Sequence, residues 1–489
     1  MQRGVEISKL YNLSFQFYPN SIKMIAFIIS LSKQITGYGE KEDMMKRKLI
    51  AICMTTCLTA ALLSGCGGTE STAQISGEES NIEEKAQTEI AEAAVTAEDS
   101  DEAVTLTVLA GQSTTDAGIE DFIDEALAKK YPNITLEWEC VGWNDLAAKM
   151  QLYRQSGMPD IIIGKAQDVG MYAPLGILGE VDQEYLDRGL DAAKENVTID
   201  GKTYGLVYNA LYQGVYYNKT MFEENGWEVP KTQEELQTII DDCNAKGIVP
   251  FASHMIDTWS IGNVTMQFAM NDVFNKTPDW GDQFRAGKTS FSESKEMQTA
   301  YQYNKLIYDN TFEDTFSTEQ TECDARMVNG EAAMKVSGSW SIQNFMDIDE
   351  NFDFGIFPFP NQTGDSKLIF EPNITFMCSA DTEHKDAVNK VFDVLTSDRD
   401  LAVEIYDFTK TAPMLKDVTP TYPNPSQEDI DKYAADGMIV DVTLGNNQLV
   451  WGGFQEENAK DIAAWLAGDE SFEDALAASD ARVEVSTSN

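Results

Sequence analysis

The sequence predicts an α/β protein whose sheets are built from parallel βαβ units and whose body divides into two lobes. From residue 104 onward, strand-like and helix-like segments alternate, which is typical of parallel strands joined by helices. About 385 residues follow residue 103, more than a single hydrophobic core normally holds. The hydrophobic fraction of 43% is ordinary for a globular body, so two lobes of normal composition are expected.

The first five elements follow one another in strand and helix order. Strands are predicted where β-branched residues alternate or where a short apolar run occurs, and helices where apolar residues recur every three or four positions. Tyr131-Pro132 ends the first helix. The predicted elements are strand 104–109, helix 118–130, strand 134–138, helix 144–155 and strand 160–163.

The ends of these strands predict where a ligand binds. In open sheets with parallel strands, ligands lie beyond the carboxyl ends of the strands. The three segments that follow the strands, 111–115, 142–144 and 164–168, are therefore expected around one crevice.

An export signal precedes the body. Residues 46–48 are basic, residues 49–63 are apolar, and Leu63-Ser64-Gly65-Cys66 follows. This pattern resembles a bacterial lipobox, in which the cysteine is lipidated and becomes the mature N-terminus. We therefore predict a lipoprotein signal peptide at 45–65 and a protein anchored to the cell membrane through Cys66, facing the extracellular side.

The segments on either side of this signal have their own interpretations. A signal peptide starts close to its basic cluster, so residues 1–44 are interpreted as upstream sequence misread as coding, with Met45 as the start; a short membrane segment at 24–31 is the weaker alternative. Residues 66–102 begin with the lipidated cysteine and are rich in Ser, Thr, Ala and Glu, without any aromatic residue. They are predicted to form an acidic, disordered stalk.

Composition and charge exclude several classes of function. A formal charge of −45 disfavours nucleic acid and anionic lipid surfaces as partners. His254 and His384 are the two histidines, and they do not stand at metal-ligand spacing. Without a phosphate loop, nucleophile elbow or zinc-protease motif, no cofactor, metal or enzymatic activity is predicted. Catalysis by paired carboxylates stays open, and His254 is expected to be a hydrogen-bonded loop residue.

Four cysteines fall within the body, and no pair of them has the C-x-x-C spacing of a metal or redox motif. Buried free thiols are the favoured expectation, with one disulfide as the alternative. The four are Cys140, Cys243, Cys323 and Cys378.

Three runs of residues in the body resemble motifs of a known family. The first comprises residues 202–209, 214–222 and 227–232, the second 329–334 with Ser337-Gly-Ser-Trp340, and the third 354–360 (Phe-Gly-Ile-Phe-Pro-Phe-Pro). Their order and spacing, from about residue 104 to 485, resemble the family 1 extracellular solute-binding proteins, which are the substrate receptors of ABC importers for sugars and include maltose-binding protein.

The resemblance implies a periplasmic-binding-protein-like fold, with two α/β lobes joined by three chain crossings that close around a ligand. The crossings are expected near 211–214, 370–375 and 410–413. The N-terminal lobe is predicted to combine 103–211 with 375–411, and the C-terminal lobe 214–370 with 414–485.

The resemblance also implies which aromatic residues contact ligand. A sugar ring stacks on planar aromatic side chains through its apolar face. Trp340 matches the position of a stacking tryptophan in family members. By their places at strand ends and helix starts, Trp143, Trp259 and Trp451 are further candidates.

Polar candidates are residues whose forked groups pair with sugar hydroxyls. Gln167 and Asp168 follow the third strand, where family members place a ligand-binding carboxylate, although here the aspartate stands one position late. Glu371 lies in Glu-Pro-Asn where many relatives have paired glycines, so it is expected to place a carboxylate in the cleft. The remaining candidates are Ser113, Tyr208, Asn209 and Asn373.

Together these expectations predict a monomeric, lipid-anchored receptor that captures a mono- or oligosaccharide and delivers it to an ABC permease. Two alternatives stay open. One is the same fold with a polyamine, amino compound or peptide as ligand, and the other is a lipid-anchored carbohydrate-active enzyme.

Overall fold

Strands and helices alternate along the chain as the sequence predicts. The computed structural model describes residues 102–113, 117–443 and 454–483, which all lie in one compact unit spanning Asp99–Asn489. The predictions for residues 1–44, for the signal peptide at 45–65 and for the stalk that begins at Cys66 lie outside these ranges, and so does Trp451.

The strands of the described residues form two larger sheets and one hairpin. In chain order they are β1 (Val104–Gln112), β2 (Ile134–Gly142), β3 (Ile161–Gly164), β4 (Leu178–Gly179), β5 (Thr198–Ile199), β6 (Lys202–Thr203), β7 (Leu206–Val207), β8 (Asn209–Asn218), β9 (Val249–Phe251), β10 (Ala332–Gly338), β11 (Phe354–Phe357), β12 (Leu368–Pro372), β13 (Thr375–Ser379), β14 (Ala412–Pro413) and β15 (Ile439–Asp441).

The helices pack against the sheets and against one another. They are α1 (Ile119–Lys130), α2 (Trp143–Ser156), α3 (Ala166–Tyr172), α4 (Gln183–Leu186), α5 (Ala192–Glu195), α6 (Lys219–Asn225), α7 (Gln233–Lys246), α8 (Thr258–Ala269), α9 (Trp280–Arg285), α10 (Lys295–Tyr308), α11 (Gln320–Val328), α12 (Trp340–Ile348), α13 (Lys385–Ser397), α14 (Arg399–Thr409), α15 (Gln427–Ala435), α16 (Phe454–Ala467) and α17 (Phe472–Ala481). A π-helical turn, Met270–Phe274, continues α8.

The first sheet has the strand order β2-β1-β3-β13-β4, with β7 paired to β13. β1 pairs parallel with β2 and β3, which confirms the predicted βαβ units, whereas β13 runs antiparallel to β3. The three isoleucines of β3 are all buried. Successive side chains of a strand point to opposite sides, so both faces of β3 are covered by core residues. Ile161 and Ile163 belong to one core cluster, and Ile162 to the cluster on the other face.

The second sheet is built around β8. Its strand order is β15-β12-β8-β10-β9, and β11 and β14 also pair with β8. β10 and β12 run antiparallel to β8, whereas β9 and β10 run parallel, so the carboxyl ends of β9 and β10 lie at the same edge. Two core clusters cover the faces of this sheet and complete the second lobe.

The chain passes between the two sheets three times. It leaves the first sheet after β7 and enters the second at β8, returns between β12 and β13, and enters the second again at β14. Met414 and Leu415, which follow β14, still pack in the cores of the first lobe. We call the first sheet with its helices the first lobe, and the second sheet with its helices the second lobe.

The cysteines of the body are free thiols. Cys243, Cys323 and Cys378 are buried as predicted, but Cys140 is exposed because it lies on β2, the edge strand of the first sheet. Within the described ranges, no helix combines the length and apolar character that crossing a bilayer requires.

Candidate functional site

Trp143 forms an aromatic surface on the first lobe at the carboxyl ends of its strands. It is the first residue of α2, directly after β2, and its ring lies against Gly111 of β1. A Cβ atom at Gly111 would stand 2.6 Å from the indole ring, so glycine is what allows the ring to approach the strand. The Lys165 ammonium lies 5.5 Å from the centroid of the ring, within the range of a cation–π contact.

The turn between β3 and α3 holds Lys165 and Asp168. Asp168 Oδ2 accepts a hydrogen bond from the Lys165 backbone N–H at 2.7 Å, so its carboxylate is engaged at the start of its own helix. Burial raises the pKa of Asp168 to about 6; the bond and charge of Lys165 lower it, and the charge of Glu371 raises it. Gln167 lies beside it with a buried side-chain oxygen that has no hydrogen-bond partner among the described residues.

Two tryptophans form the matching aromatic surface on the second lobe. Trp340 begins α12, and its ring lies over Gly338, where a Cβ atom would stand 2.2 Å from the ring. Trp259 stands in the first turn of α8 and meets Trp340 edge to face, with 5.8 Å between ring centroids. His254 also meets Trp259 edge to face, with 5.1 Å between ring centroids. The structure therefore brings together Trp259 and Trp340, which the sequence predicted as ligand contacts.

A chain of polar side chains connects the two lobes. Lys165 of the first lobe donates to Glu371 Oε1 on β12 of the second sheet, at 2.8 Å. The other carboxylate oxygen of Glu371 accepts from the Gln213 amide. Asn263 donates to Gln213 Oε1 at 2.6 Å, and Gln267 donates to Asn263 Oδ1 at 2.9 Å. Both oxygens of Glu371 thus have protein partners, whereas the predicted contact of this carboxylate with a ligand stays a prediction.

Tyr208 and Asn209 lie at the first crossing between the lobes. Tyr208 is fully buried in the core of the first lobe against Phe376 and Tyr406, because the strand-to-strand crossing runs through that core. Asn209 is 0% exposed and bonds to both other crossings: its Oδ1 accepts from Ile374 N and its Nδ2 donates to Thr411 Oγ1. These placements indicate packing and pivot roles, and contact with a ligand stays a prediction for both residues.

The last two polar candidates differ in their surroundings. Asn373 is buried between the sheets, and its side-chain oxygen has no partner among the described residues. Ser113 follows β1 and is partly buried, and its carbonyl accepts from Ala117 N at 3.1 Å. Asn373 thus keeps an open acceptor at the crossings, and contact of Ser113 with a ligand stays a prediction.

The site contains residues that sequence reasoning missed. Lys165 gave no signal beyond its place after an apolar strand, and Gln213 lies within a long β-strand. Asn263, Gln267 and Asn271 repeat every four residues along α8 and the π-helical turn that continues it, which places them on one face. That spacing was a readable signal of a buried polar stripe. His254 was expected to be hydrogen-bonded, but neither ring nitrogen has a partner among the described residues.

This arrangement suits reversible binding of a polar ring. The indole of Trp340 offers a flat apolar surface, whereas the partnerless buried polar atoms offer hydrogen bonds. Several of those atoms lie near strand ends of the two lobes or in the crossings. They belong to Gln112, Gln167, Tyr208, His254, Trp340 and Asn373, whereas other such atoms lie elsewhere, for example on the helices at Asn304 and Asn458.

Parts of the chain are similar to curated sugar-binding proteins. It is 25% identical over 211 residues to the multiple sugar-binding protein of Streptococcus mutans, covering 41% of this chain and 49% of that relative. It is 29% identical over 144 residues to the diacetylchitobiose binding protein of Streptomyces coelicolor, covering 26% of this chain and 29% of that relative. The chain therefore spans about half the length, or less, of these curated relatives.

Solved structures share the fold over a much larger part of the chain. A chitin oligosaccharide binding protein superposes with a TM-score of 0.68 at 20% identity, covering 80% of this chain and 100% of that one. A solute-binding protein in complex with raffinose gives 0.65 at 18% identity, covering 79% and 100%. These similarities confirm the predicted two-lobed fold of periplasmic binding proteins.

The family follows from the sequence profile that matches the chain. The profile is described as bacterial extracellular solute-binding protein and matches residues 123–435. This range is more than half of the chain and runs from α1 to α15, so it includes most of both lobes and all three crossings. The chain belongs to the family of bacterial extracellular solute-binding proteins.

Proposed function

We propose that this protein captures a mono- or oligosaccharide between its lobes and delivers it to an ABC permease. The observation that carries the proposal is Trp340, whose ring is supported by Gly338 and flanked edge-on by Trp259. Trp143 stands at the strand ends of the other lobe. A ligand that contacts both lobes makes the closed form the more populated state, and the permease then recognises that closed form.

The similar proteins support a carbohydrate as the ligand class. Two of the curated relatives are named a multiple sugar-binding protein and a diacetylchitobiose binding protein, and one similar structure is a complex with raffinose. Aromatic platforms with surrounding hydrogen-bonding groups meet the needs of such ligands, because a sugar has apolar C–H faces and a rim of hydroxyls.

The test is a thermal-shift screen of the purified protein against oligosaccharides, polyamines and amino acids. A ligand at a hundred times its dissociation constant adds about 2.7 kcal/mol to the free energy of unfolding, which shifts the melting temperature measurably. We expect a shift with one group of sugars that is lost in Trp340→Ala. Trp138→Ala is the matched control, because Trp138 lies on the edge strand β2 with its indole N–H bonded to Asp124. A shift retained in Trp340→Ala would contradict the proposal.

A polyamine or another cationic solute is the second candidate ligand. It requires an acidic site, and the sequence offered Glu371 and Asp168 for that purpose. In the structure both carboxylates accept hydrogen bonds from Lys165, Glu371 from its ammonium and Asp168 from its backbone N–H. A cation would have to compete with Lys165 for Glu371, which favours the sugar. If polyamines raised the melting temperature in the same screen and sugars did not, a cationic ligand would be favoured over a sugar.

A carbohydrate-active enzyme is the alternative of another class. Glycoside hydrolysis needs one carboxylic acid and one carboxylate on either side of the scissile bond. The two acids brought together here, Asp168 and Glu371, both have hydrogen-bond donors within the protein, which supports binding over hydrolysis. Chromatography of the bound sugar after prolonged incubation tests this point, since release of shorter products would show an enzyme.

We further propose that the protein is a monomer held at the outer face of the membrane by lipid on Cys66. The extracellular family supports a location outside the cytoplasm. The anchor rests on the sequence Leu63-Ser-Gly-Cys66 behind its basic and apolar regions, and a start at Met45 would place these regions as in a signal peptide. Cys66→Ala should release the protein from the membrane fraction, and N-terminal analysis of the cellular precursor should give Met45. Membrane retention of the variant would contradict the anchor.

A further inference from the structure

His254 is a buried imidazole without a hydrogen-bond partner among the described residues. It is 2% exposed, and both Nδ1 and Nε2 lack partners. Burial, followed by the charge of the Lys335 ammonium, keeps the pKa of His254 well below its usual value, so the ring is neutral at physiological pH. A neutral imidazole has one N–H donor and one acceptor nitrogen, and buried polar groups of this kind are nearly always paired.

The position of His254 connects it with the candidate site. It follows β9, whose parallel partner is β10, and Ala252 N donates to Met334 O at 2.8 Å to continue that pairing. The residue therefore lies at the carboxyl ends of two parallel strands, where ligands of open sheets bind. Its ring contacts Trp259, which in turn contacts Trp340. The indole N–H of Trp340 is likewise buried without a partner among the described residues.

The backbone around His254 is fixed without help from the ring nitrogens. Ser260 Oγ donates to the His254 carbonyl at 3.0 Å, which ties the loop to the first turn of α8. Met255 N donates to Thr315 Oγ1 at 3.3 Å. Because these bonds already hold the loop, an imidazole at this position is not required to fix the fold.

We propose that His254 is a specificity-determining residue of the second lobe, where a ring nitrogen hydrogen-bonds a hydroxyl of a sugar stacked on Trp340. This inference rests on the proposed function and narrows it to uncharged sugars. The nearby Lys335 ammonium disfavours protonation of the ring, so His254 is not available as a cation for a carboxylate-bearing sugar.

The test compares His254→Phe with wild type by isothermal titration of the full-length protein with raffinose, diacetylchitobiose and maltotriose. Phenylalanine keeps a planar ring against Trp259 but removes both nitrogens. We expect the sugar that binds wild type to bind the variant about ten- to a hundredfold more weakly. The melting temperature of the ligand-free variant should stay equal or rise, because a phenyl ring carries no unpaired polar atom. His384→Phe is the matched control, since His384 lies at the start of α13 in the first lobe.

Monodeoxy derivatives of the sugar that binds separate a direct contact from a packing effect. In wild type, removal of the contacted hydroxyl should weaken binding as much as His254→Phe does, whereas the variant should bind parent and derivative equally. Wild-type affinity in His254→Phe, or a loss that is the same for every derivative, would overturn the inference and leave the proposed function standing. If wild type binds none of the three sugars or any other carbohydrate, the proposed function fails and this inference fails with it.

Discussion

Gly111 and Gly338 determine how closely two tryptophans approach the strands beneath them. In each case the indole occupies the space that a Cβ atom would fill, at 2.6 Å for Gly111 and 2.2 Å for Gly338. A glycine that packs beneath an aromatic ring can thus control the position of a binding surface without touching the ligand itself. Glycine is needed here for close approach, because neither residue has a positive φ.

Gly338→Ala should therefore displace the Trp340 ring and weaken sugar binding at least tenfold. Forcing a methyl group into this contact costs about 1–3 kcal/mol, which the protein relieves by moving the indole. Titration calorimetry measures the affinity, and urea unfolding measures the stability. Gly142→Ala is the control, because a Cβ atom there meets only Asp145 Oδ2, at 3.7 Å. Equal affinities for Gly338→Ala and wild type would show that the ring does not form the ligand surface.

Asp168 predicts a pH dependence of stability. Its pKa is raised from 3.8 to about 6, so the folded protein takes up this proton more readily than the unfolded chain does. Above pH 6 the ionised Asp168 carboxylate therefore lowers the free energy of unfolding. This destabilisation disappears as the pH falls from 6 towards 3.8, because the folded protein binds the proton first. Asn at this position keeps an acceptor for Lys165 N–H but cannot ionise.

Asp168→Asn should raise the free energy of unfolding at pH 7.5 by about 1–2 kcal/mol, and the gain should shrink to near zero at pH 4. Urea titrations of both proteins at the two pH values measure the difference. A gain of equal size at both pH values would mean that the carboxylate is not the titrating group responsible.

At the scale of elements, local patterns predicted the first lobe well. β1, α1, β2, α2 and β3 all form, because alternation, helical spacing and apolar runs depend on neighbouring residues. The connection between the lobes was not predictable in this way. Lys165 and Glu371 are separated by 206 positions, so local patterns could not indicate that these two side chains are hydrogen-bonded. The stripe of polar residues on α8 was the one local signal of the buried network.

The Lys165–Glu371 pair should stabilise the contact between the lobes. Its side chains are 27% and 5% exposed, so each single substitution, Lys165→Met or Glu371→Gln, should cost about 1–3 kcal/mol, less than in a fully buried pair. The double variant should lose less free energy of unfolding than the two single variants lose together. A double-mutant cycle measured by urea unfolding should therefore give a coupling energy of about 1 kcal/mol. The exposed pair Lys129–Glu125, at 71% and 70%, is the control and should show a coupling below about 0.5 kcal/mol. Additive effects at Lys165 and Glu371 would contradict the predicted contact.

Across the whole molecule, Asn209 joins the three crossings at one point. Its carbonyl accepts from Asn373 N, its Oδ1 from Ile374 N, and its amide donates to Thr411. Farther from this pivot, Asn196 of the first lobe donates to Asp441 at the end of β15. The crossings are thus bonded to one another, and the outer contact adds to them when the lobes are together.

Asn209→Ala should destabilise the protein by about 2–3 kcal/mol, because it leaves the buried Ile374 N–H and the Thr411 hydroxyl without this partner. Asn196→Ala should cost less than about 1 kcal/mol, since Asn196 is only partly buried. Thermal and urea unfolding give both values, and small-angle scattering with and without sugar shows whether the lobes still close. A larger cost for Asn196→Ala than for Asn209→Ala would place the pivot elsewhere.

The exposed thiol of Cys140 gives the molecule a practical use. It lies on β2, shortly before Trp143, whereas the other three cysteines of the body are buried. Burial and the charge of Glu120 raise the pKa of Cys140, so alkylation needs a mildly alkaline buffer. A dye attached there would lie on β2 two residues before its carboxyl end and three residues before Trp143, and a change in its fluorescence on addition of sugar would report occupancy. The protein would then serve as an optical biosensor for the compound it captures, with no engineered attachment site.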